Sequence, residues 1–344
     1  MRRTQATMLA RTMAIVLGAA GSGGLASPPL HAQSNPWQAE TRSTGEKKAK
    51  PQKPVTLKQD RTALSAFASA PFPYDGVVPA TGKQFLDVAE NERRGHTGMR
   101  GQVFWADEVY DDNRVLLHIP KSFDVQKPGM IVVFFHGHGA TLERDVLKRQ
   151  QVADQISRAG VNAVLLAPQF ARDAADSSAG RFWEPGRFQH FLDEAQKELA
   201  RLYGDKRAEK AFKRMPLVFI AYSGGYLPAA FAIHHGGATK RVKAVLLLDA
   251  LYGDVEKFTA WITRHRTGIF VSAHTHHTAD RNVALMKTLA EKKIPYEIEL
   301  KKPLLPGTVA FLETGVERRH LDFVTDAWAE HPVRDFLRAL ADKK

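Results

Sequence analysis

The stretch Ala221-Tyr222-Ser223-Gly224-Gly225 places a serine between small residues two positions before and two after it, directly behind the apolar run Leu217-Val218-Phe219-Ile220 and ahead of a helical pattern. A turn this sharp between a strand and a helix holds the serine on a strained backbone with its Oγ projecting, and larger flanking residues would collide. A serine hydroxyl becomes a useful nucleophile when a base takes its proton, and imidazole does so near neutral pH. A carboxylate must then hold the imidazole in the right tautomer. The chain offers His136 and His138 in Phe135-His136-Gly137-His138-Gly139, His234 and His235, the run His274-Thr275-His276-His277-Thr278-Ala279-Asp280, and His320. Asp249 ends the apolar run Ala244-Val245-Leu246-Leu247-Leu248, while Asp280 lies eight residues past Ser272 near a helix start, where an acid can also serve the helix itself. Ser177 and Ser178 match in residue type only, because their loop has no strand-turn-helix setting.

Residues of these types act only if the fold brings them to one edge. Residues 101–106 and 114–119 are expected to form an opening antiparallel pair, and 130–135 is a continuous apolar run suited to a strand covered on both faces. Helical spacing follows over 142–159, then a strand at 163–167, a helix at 188–202, a strand at 217–220 and a helix at 226–234. The rhythm continues with strands at 242–248, 269–272 and 309–312, and helices at 258–264, 281–292 and 333–340. This alternation predicts an α/β fold, a mostly parallel sheet with helices on both faces and antiparallel strands at the start, whose ligands bind beyond the carboxyl ends of the strands. The connection from 169 to 183 is long and is expected to cover the pocket, with Trp183, Tyr222 and Tyr252 as candidate substrate contacts; core packing is the alternative for Trp183.

Ser223 in its small-x-Ser-x-small turn, His136-Gly137-His138-Gly139 after an earlier strand and a late His320 together resemble the α/β-hydrolase superfamily over about residues 100–344. Ala221 stands where the family usually has Gly. A narrower resemblance is to exported bacterial serine hydrolases and esterases, through Phe135-His136-Gly137-His138-Gly139, Asp176-Ser177-Ser178 and Asp249-Ala250-Leu251-Tyr252-Gly253. The resemblance implies hydrolysis of an ester, or of an amide or thioester, through an acyl-enzyme and without a cofactor. It implies His320 as base, between the last strand and the terminal helix. For the acid, the chain order Ser223, Asp249, His320 suits the family, whose usual position is one strand later, where Asp280 is the nearest carboxylate; both stay open, and Asp254 or no acid at all are further alternatives. The oxyanion donors would be Gly224 N–H and, from the loop after the earlier strand, His138 N–H or Gly139 N–H.

Composition bounds the alternatives. The 344 residues are 44% hydrophobic and 25% charged, with no Cys, so a folded core is expected and disulfides, thiolate metal sites and a cysteine nucleophile are excluded. A metal would need His and carboxylates; the spacing within 274–280 does not match that of the metallo-β-lactamase-like enzymes, and a metallohydrolase remains the lesser reading. Residues 1–32, with three Arg ahead of or beside an apolar run and then small residues, have the order of a secretory signal. Residues 33–70 are expected to be a flexible basic tether and 71–344 the α/β-hydrolase domain that the resemblance implies, in the periplasm or secreted. The net charge of +12 becomes +9 without the first 32 residues and is spread rather than striped, so a nucleic-acid partner is not expected. Nor is a stable membrane anchor expected. The expected partner is a small or envelope-derived acyl substrate. A third class is an α/β-hydrolase fold that binds an envelope polymer without catalysing anything.

Overall fold

A computed structural model describes residues 55–315 and 317–341. The expected signal segment, and the tether up to residue 54, lie outside the described residues. Eight strands form one sheet: β1 (Arg61–Ala66), β5 (Arg114–Ile119), β6 (Met130–Phe135), β7 (Ala163–Pro168), β8 (Leu217–Tyr222), β9 (Val242–Leu248), β10 (Ile269–His274) and β11 (Val309–Glu313). Their order is β1-β5-β7-β6-β8-β9-β10-β11. β5 runs antiparallel to both neighbours and all later pairs are parallel.

Burial on both faces explains why the parallel strands read as unbroken apolar runs. In β6, Ile131, Val133 and Phe135 enter one core, and Val132 and Phe134 enter the other. β8 divides in the same way, with Leu217, Phe219 and Ala221 on the first face and Val218, Ile220 and Tyr222 on the second. The first face is covered by α3 (Arg187–Tyr203), α4 (Glu209–Arg214), α5 (Tyr226–His235), α6 (Val255–Arg264) and α7 (Ala279–Glu291). The second is covered by α2 (Val152–Ala159) and α8 (Pro332–Ala341), whose Val333, Phe336 and Leu337 are fully buried. Each such side chain contributes about 1.5–3 kcal/mol of transfer free energy.

Three expectations change. The tether does not reach residue 70, because β1 pairs with β5, Ala63 opposite Leu117, and Phe67 and Phe72 are buried. A six-residue edge strand with mixed burial carries too little pattern to be read as one. Residues 101–106 do not pair with 114–119: β4 (Val103–Trp105) joins β2 (Val88–Glu90) and β3 (Arg93–Thr97) in a separate three-stranded sheet, followed by the short helix α1 (Ala106–Val109). The expected helix over 142–159 is two, a π-helical stretch over Leu142–Arg149 and then α2, broken at Gln151 with φ +53°. Asp145, buried within the first, takes hydrogen bonds from Thr141 N–H, Arg144 and Arg149, which favours a local geometry over a continuous helix.

The strand order reverses between β6 and β8. The chain leaves β6 toward α2 on one face and leaves β8 toward α5 on the other, so a crevice opens between the two departing loops at the carboxyl edge. One of those loops carries His136 to Gly139 and the other carries Ser223.

Candidate active site

Ser223 follows β8 at φ +52°, a left-handed conformation that costs a residue other than glycine about 1–3 kcal/mol. The surroundings impose it. A Cβ on Gly225 would stand 2.2 Å from the Phe135 carbonyl oxygen, and one on Gly137 would stand 2.7 Å from the Ser223 Cβ. The serine turn therefore packs on the β6 backbone at Gly225, and the β6 loop packs on the Ser223 side chain at Gly137, approaches that only glycine allows.

His320 opens a short 3₁₀ turn after β11, and its Nε2 accepts the Ser223 hydroxyl at 2.8 Å. Its Nδ1–H donates to Asp249 Oδ2 at 2.6 Å. Tyr222, read from the sequence as a substrate contact, holds His320 in place, since its hydroxyl donates to the His320 carbonyl at 3.0 Å and its ring stacks on the imidazole. Burial pushes the Tyr222 phenol up to about 12, so it keeps the proton it donates.

Asp249 is fully buried after β9, at φ +45°. Its Oδ1 accepts Thr275 N–H at 3.1 Å and the Thr278 hydroxyl at 2.7 Å; its Oδ2 accepts the Thr275 hydroxyl at 2.7 Å beside the His320 bond. Asp280 is exposed in the first turn of α7, and its side chain makes no hydrogen bond to His320. Asp254 is paired instead with Lys257. Sequence reading missed Thr275 and Thr278. The signal was available in the two hydroxyls within the His-rich run, because a buried carboxylate must find donors nearby.

Burial alone would raise the Asp249 carboxyl, but the bonds from His320, Thr278 and Thr275 outweigh it and hold the group at about 2. That value lies below the unfolded value of about 3.9. The ionised carboxylate therefore stabilises the fold above about pH 4, and this contribution is lost as pH falls toward the folded value. Thermal unfolding followed from about pH 5 down to pH 2 is expected to show a steeper loss of midpoint in the wild-type chain than in Asp249→Asn; parallel curves would contradict it.

The two histidines of the β6 loop differ in role. His136 is buried, and burial holds its imidazole down to about 4, so it is neutral. Its Nδ1–H donates to Gly137 O, and its Nε2 accepts Phe170 N–H and the Gln169 amide, both at 2.9 Å. Gln169, also missed by sequence reading, accepts Leu142 N–H and donates to Ala140 O, which fixes both ends of the loop. Gly139 N–H is engaged by Ala174 O at 2.8 Å. His138 N–H has no such partner among the described residues, and Gly224 N–H stands at the start of a helical turn, where amides lack an intrahelical acceptor.

A pocket of about 360 Å³ opens over Ser223, His320, Gly224 and His138. Its remaining walls are Tyr222, Tyr226, Tyr252 and Ser177, with Met99 from the β3–β4 turn and Leu321 at the rim. Tyr252, read as a candidate substrate contact, lines this pocket. Trp183 does not: it is buried edge-on against Tyr74 and Phe85, with ring centroids 5.7 Å and 5.6 Å away. Gly180, at φ +55° and against the Pro71 carbonyl, turns the end of the 169–183 loop into the core, and Ser177 is the residue of that loop that reaches the pocket. A depression of about 590 Å³ between α6 and α7 is larger, but it is lined by Val255 and Ala260 with threonines and charged side chains, and no residue of the Ser223 constellation reaches it.

The His-rich run does not assemble a metal site. Among the described residues no three His, Asp or Glu side chains are grouped to hold an ion. His274 is buried with Nδ1 directed at Thr275 O, while the His276 and His277 rings pack on each other at 4.0 Å on the surface.

No family model matches the chain, and no curated protein does. Solved structures similar to it include a mutant of the feruloyl esterase module from Clostridium thermocellum complexed with sinapinate, at 16% identity and a TM-score of 0.44, covering 83% of this chain and 95% of that one. An S-formylglutathione hydrolase from Agrobacterium tumefaciens is similar at 8% identity, with 73% and 95% covered and a TM-score of 0.42. A thermostable esterase is similar at 16% identity, with 68% of each chain covered and a TM-score of 0.40. Likeness at this level concerns the course of the backbone alone. Counted in chain order within its own sheet, this protein's strands run 1-2-4-3-5-6-7-8 with the second antiparallel, a serine turn follows the fifth and a histidine follows the eighth: the chain has the α/β-hydrolase fold.

Proposed function

We propose that the protein is a serine hydrolase that cleaves a carboxylic ester through an acyl-enzyme. The observation that carries this reading is the continuous relay from Ser223 Oγ to His320 Nε2, 2.8 Å, and from His320 Nδ1 to Asp249 Oδ2, 2.6 Å, at the floor of a pocket on the carboxyl edge of the sheet. Ser223 Oγ attacks the acyl carbon while His320 takes its proton, and His320 then returns that proton to the departing alcohol. Water repeats the sequence and releases the acid. The ionised Asp249 holds His320 with its proton on Nδ1 and stabilises it when doubly protonated. Gly224 N–H and His138 N–H receive the negative charge on the carbonyl oxygen; the bond from Gly139 N–H to Ala174 O favours His138 over its neighbour. Tyr226, Tyr252, Met99 and Leu321 form an apolar wall suited to a short acyl or aryl group. Export to the periplasm or beyond, after loss of the first 32 residues, completes the proposal; N-terminal sequencing of periplasmic material tests it.

A fluorophosphonate probe is expected to label the protein once, with the adduct on the peptide containing Ser223 by mass spectrometry. Absence of labelling would favour the non-catalytic polymer-binding reading, and labelling elsewhere would remove Ser223 from the mechanism.

A further inference from the structure

A second serine–histidine couple faces the first across Gly224. His138 Nε2 lies 2.6 Å from Ser177 Oγ. A Cβ added to Gly224 would stand 2.6 Å from Ser177 Oγ and 2.5 Å from the His138 ring, so both side chains pack over the residue whose amide follows Ser223. Ser177 arrives on the connection between β7 and α3, and that connection is pinned just ahead of it. Asp176 accepts the hydroxyls of buried Tyr110 at 2.9 Å and of Ser178 at 3.0 Å, and Ala174 O accepts Gly139 N–H. With its carboxylate so engaged, and with no strand-turn-helix backbone at Ser177, the group lacks the relay of a second nucleophile.

We propose that Ser177 is a further catalytic residue, whose hydroxyl, oriented by an Nε2–H···Oγ bond from His138, donates a third hydrogen bond to the oxygen that becomes negative when Ser223 attacks. The proposal rests on the acyl-transfer reading of Ser223. In that step the Ser223 Oγ–carbon bond forms, the carbonyl π pair moves onto oxygen and the Ser223 proton passes to His320; Ser177 keeps its own proton throughout. A neutral imidazole has one N–H. Although His138 is exposed at one edge, desolvation of its imidazole against the pocket wall, with the nearby His320 and Arg100 charges, moves it below the usual histidine range, which favours the neutral form. With that N–H directed at Oγ, the Ser177 hydroxyl hydrogen cannot point back at the ring and is free to turn into the pocket above Gly224. His138 acts here through Ser177 and is a positioning residue, while its backbone N–H remains a donor in its own right.

Kinetics on p-nitrophenyl acetate test this with Ser177→Ala, Ser177→Cys, His138→Ala, His138→Gln and the double alanine variant of Ser177 and His138. Ser177→Ala is expected to lower kcat on the order of 10²-fold, the cost of one oxyanion donor, with little change in KM. Ser177→Cys keeps the shape with a weak donor and is expected to fall nearly as far, and it decides the matter where the alanine variant fails to fold. His138→Ala should lose as much as Ser177→Ala, the double variant no more than either, and His138→Gln, which retains an N–H for Oγ, should recover part of the loss. Wild-type kcat in Ser177→Ala or Ser177→Cys, a loss confined to KM, or additive losses in the double variant would overturn the proposal. A labelled Ser223 with undiminished Ser177 variants defeats this proposal alone, whereas an unlabelled Ser223 defeats it together with the acyl-transfer reading.

Discussion

Ser223→Ala is expected to reduce turnover of a small activated ester on the order of 10⁶-fold, the loss typical when a serine nucleophile is removed from an intact relay. The unfolding midpoint should move little. The change deletes one oxygen at the floor of a pocket and removes no core methylene, so it creates no cavity of the kind that destabilises apolar cores. Alanine meets the same backbone strain at φ +52° that serine already bears. The partner left behind, His320 Nε2, faces the pocket and can be met by water. Turnover within tenfold of wild type in a folded variant would mean that Ser223 is not the nucleophile, and steady-state assays beside thermal melts decide it.

Asp249→Asn is expected to lower turnover on the order of 10⁴-fold, by placing His320 in the wrong tautomer. The hydrogen bonds dictate which way the amide turns. Thr275 N–H can only donate, and it points at Oδ1; the amide oxygen must therefore take that position, beside the Thr278 hydroxyl. The amide nitrogen then occupies the Oδ2 position, against His320 Nδ1. There it donates, which forces the proton onto His320 Nε2 and turns an N–H toward Ser223 where a lone pair is needed. The Thr275 hydroxyl can rotate to accept, so the fold should survive, and matched unfolding midpoints separate a catalytic loss from instability. Asp280→Asn, exposed in the first turn of α7, should change turnover little. The reverse order of severity would assign the acid to the loop after β10.

The serine turn and the sheet were legible because their causes are local. Ser223 could be identified from five residues, since a turn of that sharpness leaves room only for small neighbours; the Gly225 approach to the Phe135 carbonyl is the contact behind the rule. The central strands could be identified because burial on both faces leaves no alternating pattern to confuse. Edge elements were not legible: β1 and the β2-β3-β4 sheet are short, partly exposed and defined by partners far along the chain. The same division runs through the site. Asp249 and Asp280 follow adjacent parallel strands, and nothing in their own neighbourhoods says which reaches a histidine on a later loop. The register of β9 against β10 decides it: Asp249 N–H bonds Ala273 O, which draws the two loops together and brings Thr275 and Thr278 onto the carboxylate, while Asp280 turns outward on its helix. Trp183 and Ser177 changed places for a related reason. An aromatic ring satisfies a pocket and a core equally well in sequence terms, and a serine in a loop signals little, but the left-handed turn at Gly180 sends the ring inward and leaves the hydroxyl over Gly224. Residue type and local spacing determined which chemistry was available; contacts between residues distant in the chain decided which of the eligible side chains come together, because a hydrogen bond depends on separation in space and not on separation in sequence.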